Sequence, residues 1–195
     1  MAETDQKTRG FVLCVSGPSG SGKTSLCDRL AAEHEYVDRS ISVTTRPQRP
    51  GELSGKDYIF VSHEDFERMK AAGEFLEWAE VFGNFYATPV GPVRESLNKA
   101  KIIVMDIDTI GASFVKKRMG TDSVTVFILP PSMQELERRL RERRQNTEKD
   151  LEMRLEEAAR EIAMAPSYEY RIENGEFSSA YQQLLDIVEK ERLKL

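Results

Sequence analysis

The sequence predicts an α/β domain in which helices flank a parallel β-sheet. Three short apolar runs, at residues 11–15, 102–105 and 124–129, are long enough for buried strands, and segments of helical periodicity separate them. A glycine-rich segment lies directly between the first run and the first helical segment. This alternation favours a parallel sheet, because parallel neighbours are usually joined by a crossover helix.

The glycine-rich segment, Gly17-Pro18-Ser19-Gly20-Ser21-Gly22-Lys23-Thr24, matches the phosphate-binding P-loop pattern. Its backbone N–H groups can converge on a phosphate, and the following helix adds its positive N-terminal end. Lys23 is expected to reach the β- and γ-phosphates of a nucleoside triphosphate, and Thr24 to place its hydroxyl on Mg²⁺. An ordinary Gly/Ser turn is the alternative. The strand before the segment and the helix predicted at about 24–34 favour the P-loop.

Composition indicates one compact globular domain. The chain has 195 residues, with 31% charged, 39% hydrophobic and a net charge of −5, so nothing basic suggests nucleic acid as the main partner. No apolar run approaches the roughly 20 residues of a membrane span. Residues 1–9 are polar and predict a disordered tail without a secretory signal. Cys14 and Cys27 are expected to be buried small hydrophobes in a reducing, cytoplasmic setting.

The segment from about 40 to 88 predicts a small β-rich lobe inserted between α/β units. Residues 40–45 alternate like a strand, 46–51 predict a proline-rich loop, and 58–61 predict another strand. Ser62 and Asp65 form a capping pattern for a helix. An apolar, aromatic strand at 75–81 is then followed by a predicted turn at 83–86.

The α/β pattern resumes after this lobe with a helix predicted at about 92–99. The strand at 102–105 ends in Asp106 and Asp108, at the sheet edge where open α/β sheets bind ligands. Ser132 with Glu135, and Thr147 with Asp150, predict the starts of two further helices. A short strand near 170–172 and an amphipathic helix at about 177–190 complete the chain.

Arginines concentrate in two segments that flank the P-loop. One is the predicted pair of helices, whose arginines are Arg138, Arg139, Arg141, Arg143, Arg144, Arg154 and Arg160. The other is the loop with Arg46 and Arg49. Both segments could instead be solvated surface charge, and the helices could also form an RNA-binding patch. Phosphoryl transfer, however, needs cations on the transferring group, and mobile segments supply them on closure. The distribution therefore favours a kinase of a small phosphate ester over a switch GTPase.

From about residue 10 onward the sequence resembles the guanylate kinases. The segments that carry the resemblance are 16–24 with the P-loop, 42–52 with T-T-R-x-x-R-x-G-E, 55–60 with D-Y, 75–79, Asp106-Ile107-Asp108 and 129–132. Two positions depart from the family pattern. Ala87 stands where the family usually has glycine, which requires a negative φ there, and Ile110 replaces a glutamine.

The resemblance implies a role for each matching residue. The P-loop residues and Asn174 are expected to bind ATP, with Thr24 and Asp108 at the metal. The residues expected to bind GMP are Ser42, Arg46, Arg49, Tyr58, Glu77, Tyr86, Thr88 and Asp106. Among these, Glu77 accepts from the guanine N1–H and N2 amino group, and Ser42 and Thr88 face O6. The residues expected to stabilise the moving charge are Lys23, Arg46, Arg139, Arg143 and Arg154.

The resemblance also implies the organisation of the chain and its reaction. The core would comprise residues 10–39, 89–136 and 165–195, the GMP-binding lobe 40–88, and a helical lid about 137–164. The reaction would be Mg²⁺-dependent transfer from ATP to GMP, with dGMP as a further substrate, in the cytoplasm and without nucleic acid or membrane partners. Monomer and homodimer both stay open. A phosphopeptide-binding module and a kinase of a phosphorylated sugar are the rivals. The intact P-loop argues against the first, and Glu77, Ser42 and Thr88 argue against the second.

Overall fold

A computed structural model describes residues 10–142 and 147–194, so the tail predicted at 1–9 lies outside the described residues. Its main sheet has the strand order β2-β7-β1-β8-β9, with every neighbouring pair parallel. The strands of this sheet are β1 (Val12–Ser16), β2 (Val37–Arg39), β7 (Ile102–Asp106), β8 (Ser123–Leu129) and β9 (Tyr170–Glu173). The parallel core predicted from the sequence is confirmed.

Both faces of the main sheet are covered, which explains its uninterrupted apolar strands. Leu13 and Val15 of β1 pack on the side of α1 (Lys23–Glu33) and α7 (Phe177–Arg192). The alternate β1 residues Val12 and Cys14 pack on the other side. That side is formed with α3 (Val90–Asn98) and α4 (Thr109–Met119). Among the described residues, no helix combines the length and apolarity of a membrane span.

A second sheet lies within residues 43–89, in the strand order β4-β3-β6-β5. Its strands are β3 (Val43–Thr44), β4 (Ile59–Phe60), β5 (Phe75–Val81) and β6 (Asn84–Pro89), and the helix α2 (His63–Ala71) lies between β4 and β5 in the chain. Phe66 of α2 packs against Phe75 and Phe85, so aromatic contacts join this helix to the sheet. The predicted cap of α2 is confirmed, since the Ser62 side chain accepts from the Asp65 N–H.

Two helices, α5 (Met133–Glu142) and α6 (Glu148–Ala163), form a hairpin above the main sheet's P-loop end. Thr147 and Asp150 make a complete capping box at the start of α6, as predicted. Leucines on the facing sides, Leu136, Leu140 and Leu151, pack with Ala158 in a small apolar cluster. The boundaries expected for lobe and lid stay predictions.

Several sequence-based boundaries were wrong. The alternating residues 40–45 form a strand only at Val43–Thr44, because Ser40, next to the edge strand β2, instead donates its N–H to the Val104 carbonyl of β7. The turn expected at 83–86 is tighter: Phe82 and Gly83 have positive φ, and β6 begins at Asn84. The helix expected at 92–99 begins at Val90. Strand β2 and helix α4 were not predicted. Strand β2 has only three residues, and α4 shows no clear helical period in its apolar residues.

Candidate functional site

The P-loop joins the end of β1 to the start of α1, as the sequence predicts. Gly22 has φ 92° at the N-cap and makes no side-chain cap, so the first N–H groups of α1 face the loop without a capping side chain. Such groups attract anions. Lys23 lies across the loop, and its Nζ donates to the Pro18 carbonyl at 3.2 Å. The arrangement combines backbone N–H groups with the Lys23 ammonium group, which suits a phosphate chain.

The Asn174 side chain holds the P-loop backbone by a hydrogen bond. Its Nδ2 donates to the Ser21 carbonyl at 2.7 Å, and the side chain is buried. A Cβ on Gly22 would lie 2.2 Å from that Nδ2, so only glycine fits above it. The backbone carbonyl of Asn174 also accepts from Nη2 of Arg139 at 3.0 Å. One residue therefore contacts both the P-loop and an arginine of α5.

The two carboxylates at the end of β7 are held differently. The Thr24 hydroxyl donates to Oδ2 of Asp106 at 2.6 Å, and Arg39 lies 3.8 Å from the same oxygen. Asp108 instead caps α4, where its Oδ1 accepts from the N–H groups of Ile110 and Gly111, each at 2.8 Å. Asp106 is thus the carboxylate beside the P-loop threonine, and Asp108 is the N-cap of α4.

Glu77 is a buried carboxylate on β5, opposite Thr88 on β6. Its Oε1 accepts from the Thr88 hydroxyl at 2.6 Å, and its side chain is largely removed from solvent. Burial raises the pKa of Glu77 to about 7; the Thr88 hydrogen bond opposes this rise and the charge of Asp108 adds to it. Ser42, just before β3, is half-buried.

Arg46, Tyr58 and Tyr86 meet on one side of the second sheet. The Arg46 guanidinium lies 5.3 Å from the Tyr58 ring centroid, and the two tyrosine rings are 6.0 Å apart. Arg46 also pairs with Glu52 at 2.7 Å, which holds the guanidinium on this side. Burial raises the pKa of Tyr58 to about 12, so the phenol stays a hydrogen-bond donor at neutral pH. Arg49 follows on the same loop, with an exposed side chain.

The hairpin places Arg154 across the cleft between the two sheets. Its Nη1 donates to the Ser19 hydroxyl at 3.4 Å, and its guanidinium lies 5.4 Å from the Phe82 ring centroid. Arg139 pairs with Glu135 at 2.8 Å on its own helix. The arginine expected at position 143 lies outside the described residues.

Two residues that sequence reasoning missed also line this region. Phe82 is an exposed aromatic in the β5–β6 turn. Glu161 lies seven residues after Arg154 on α6 and so points to the same side of the helix, a spacing that was available in the sequence. Burial raises the pKa of Glu161 to about 7, with Lys23 opposing the rise and Glu157 and Asp108 adding to it.

Ala87 and Ile110 are accommodated. Among the described non-glycine residues with positive φ are Phe82 and Ala100 but not Ala87, which lies buried in β6. The negative φ that the sequence required there is confirmed. Ile110 is exposed on the first turn of α4.

Comparisons with known proteins agree on one family. Residues 8–191 match the family model described as guanylate kinase. The guanylate kinase of Caulobacter vibrioides is 46% identical over 100% of this chain and 91% of its own length. That of Zymomonas mobilis is 42% identical over 95% of this chain and 86% of its own length. Among solved structures, guanylate kinase from Anaplasma phagocytophilum superposes with a TM-score of 0.81 and 35% identity, covering 95% of this chain and 88% of its own.

Proposed function

This chain belongs to the guanylate kinase family, and from that premise we propose how its residues share the work of the reaction. It is a nucleoside monophosphate kinase that phosphorylates GMP at the expense of ATP, giving GDP and ADP. One observation supports the assignment of residues above all others. The Glu77 carboxylate is buried and accepts from the Thr88 hydroxyl at 2.6 Å, so the second sheet presents a fixed acceptor to a base in a chain that also carries the P-loop.

The P-loop, Gly17 to Thr24, holds the phosphate chain of ATP. At rest Lys23 donates to the Pro18 carbonyl. On ATP binding it exchanges this neutral acceptor for phosphate oxygens, and charge-assisted hydrogen bonds are the stronger kind. Asn174 holds the loop in shape through the Ser21 carbonyl; its expected contact with adenine stays a prediction.

Use of ATP by a kinase of this family implies a divalent metal. The Thr24 hydroxyl, in the first turn of α1, lies 2.6 Å from the Asp106 carboxylate at the end of β7. Both are oxygen ligands of the kind that Mg²⁺ takes together with phosphates. They fit the ion, and we assign its protein contacts to Thr24 and Asp106. Bound there, Mg²⁺ would neutralise charge on the β- and γ-phosphate oxygens. The metal role expected for Asp108 has no comparable support, because that carboxylate caps α4.

GMP binds at the second sheet. Ionised Glu77 has acceptors only, which suits the adjacent N1–H and N2 amino donors of guanine. Ser42 and Thr88 offer hydroxyls to O6, and Thr88 also orients the carboxylate. The residues that receive the GMP phosphate are Arg46, Arg49, Tyr58 and Tyr86; guanidinium forks match phosphate oxygens and phenols donate to them. The contact expected between Asp106 and the base stays a prediction; its Oδ2 accepts from the Thr24 hydroxyl.

Arg139, Arg154 and, by the sequence expectation, Arg143 bring positive charge to the transferring phosphoryl group. No side chain acts as a nucleophile, since in-line positioning and charge neutralisation carry phosphoryl transfer. Closure of the arginine-bearing hairpin excludes water, so ATP is not lost to hydrolysis. The protein acts on small nucleotides, including dGMP, in the cytoplasm, without nucleic acid or membrane partners. The free, buried Cys14 and Cys27 are in keeping with a reducing compartment.

The test is a coupled assay of ADP formation from ATP with GMP, dGMP, IMP and AMP. We expect preference for GMP over AMP of at least about a hundredfold in kcat/KM, because AMP leaves buried polar groups unpaired. IMP, which lacks only the amino group, should fall between them. Lys23→Ala should abolish turnover while GMP binding persists. AMP used as well as GMP would refute the base-reading site.

A further inference from the structure

We propose that Gly111 is a positioning residue for guanine selection, because the missing side chain makes room for the carboxylate of Glu77. Gly111 lies in the first turn of helix α4, and the Glu77 side chain reaches it from β5 of the second sheet. The proposal rests on the proposed role of Glu77 as base reader and names the element that holds that carboxylate in place.

The space between the two residues is too small for a methyl group. A Cβ on Gly111 would lie 2.6 Å from Oε2 of Glu77 and 3.2 Å from its Cδ. Non-bonded carbon atoms settle at about 3.5–4.0 Å, and the 2.6 Å approach is well inside any ordinary contact. The carboxylate therefore rests directly against the backbone of α4.

Glu77 has no free direction in which to yield. Its other oxygen, Oε1, is held by the Thr88 hydroxyl at 2.6 Å, and the residue is only 5% exposed. Moving Oε2 away from Gly111 would break the bond to Thr88 or push the carboxylate into the space for the guanine edge. A methyl group at 111 would accordingly misplace the acceptors that face N1–H and the amino group.

Helix formation does not explain this glycine. Gly111 does not have the positive φ that favours glycine, and alanine is the better helix former. Its N–H donates to Asp108 at 2.8 Å, which any residue except proline can do. Gly91 is a second helical glycine, in α3, and a Cβ added there would meet nothing within 4 Å, so it offers a matched control.

The experiment compares wild type, Gly111→Ala and Gly91→Ala with GMP and IMP. Gly111→Ala should raise KM for GMP about tenfold to a hundredfold, the scale of a misplaced substrate group. KM for ATP should stay near wild type, and the preference for GMP over IMP should narrow. Gly91→Ala should leave all of these unchanged. A folded Gly111→Ala enzyme with wild-type KM and preference would overturn the proposal.

A double-mutant cycle covers the case in which Gly111→Ala lowers stability. Glu77→Asp withdraws the carboxylate by one bond, about 1.5 Å, and removes the clash. In the Glu77→Asp background, Gly111→Ala should have little effect on either KM for GMP or Tm. An undiminished effect there would refute contact with Glu77 as the cause. Glu77→Gln serves as the separate test of the premise: unchanged GMP preference in that variant would remove the base reader itself, whatever Gly111→Ala does.

Discussion

The Thr88 hydroxyl donates a 2.6 Å hydrogen bond to Oε1 of Glu77 from the directly opposite position on the next strand. The bond fixes the carboxylate in a buried site, where its pKa rises to about 7 because burial outweighs the hydrogen bond and the charge of Asp108 adds to the rise. Near neutral pH the carboxyl is therefore divided between a protonated form and an ionised form. Only the ionised form presents acceptors alone.

The first prediction is that GMP use depends on the ionisation of Glu77. The ratio of kcat/KM for GMP between wild type and Glu77→Gln should rise with pH through about 7. The GMP phosphate and Glu161 titrate in both enzymes, so the ratio isolates Glu77. A ratio that stays flat across an assay window of about three pH units centred on neutrality would contradict the assignment.

The stabilisation that Glu77 gives to the folded state should decrease with pH, whereas its contribution to GMP use increases. The folded-state pKa of Glu77 is raised from 4.5 to about 7, so the protonated form favours folding. Its contribution is complete below the ordinary value and is lost as pH rises through the folded-state value. The Tm of wild type relative to Glu77→Gln should therefore fall as pH rises from 4.5 to about 7 and level off above that value.

The residues of the site were readable from the sequence to different extents. The P-loop is a local motif, so strand, loop and helix could all be predicted from 17–24 and their neighbours. Arg46 was indicated by the arginine distribution, whereas Glu77 and Thr88 were found only through resemblance to a family. The contacts of Asn174 with Ser21 and of Glu77 with Gly111 were not predictable, because 153 residues separate the first pair and the second joins strand β5 of the second sheet to helix α4. Such contacts depend on tertiary packing, which periodicity does not report.

The second prediction separates two roles for Asn174. Asn174→Ala removes the donor to the buried Ser21 carbonyl, and an unsatisfied buried group costs about 1–3 kcal/mol. For a chain of this size each kcal/mol lowers Tm by about 2–4 °C. We expect a lower Tm in calorimetry and a higher KM for ATP, with KM for GMP unchanged. Glu173→Ala, on the exposed neighbour, is the control. A raised KM for ATP at unchanged Tm would indicate adenine contact alone.

The third prediction concerns Phe82, a bulky residue with φ 50° in the β5–β6 turn. Asn suits this conformation better than Phe, yet the Phe82 ring contacts the Arg154 guanidinium. Phe82→Asn should therefore leave Tm unchanged or raised while kcat falls. An exposed cation–π contact contributes about 0.5–1 kcal/mol, which corresponds to roughly a twofold to fivefold decrease in kcat. Loss of stability together with unchanged kcat would show that Phe82 serves the turn and not Arg154.

The last prediction distinguishes the two carboxylates of β7 and α4. Asp106 accepts from Thr24 at 2.6 Å, whereas Asp108 caps α4 and acts electrostatically on Glu77. Asp106→Asn should raise the Mg²⁺ concentration for half-maximal activity about tenfold to a hundredfold, as changes around metal sites commonly do. It should leave the preference for GMP over IMP intact.

Asp108→Asn should change the pH dependence of GMP use and not the Mg²⁺ requirement. Asparagine is as good an N-cap as aspartate, so Oδ1 still accepts from Ile110 and Gly111 and α4 is kept. The negative charge beside Glu77 is gone, however, which lowers the pKa of Glu77. The pH dependence of GMP use should therefore shift to lower pH, with the Mg²⁺ requirement unchanged. Titrations of activity against Mg²⁺ and against pH measure both effects. If Asp108→Asn raised the Mg²⁺ requirement and Asp106→Asn did not, the assignment of the metal to Asp106 would be reversed.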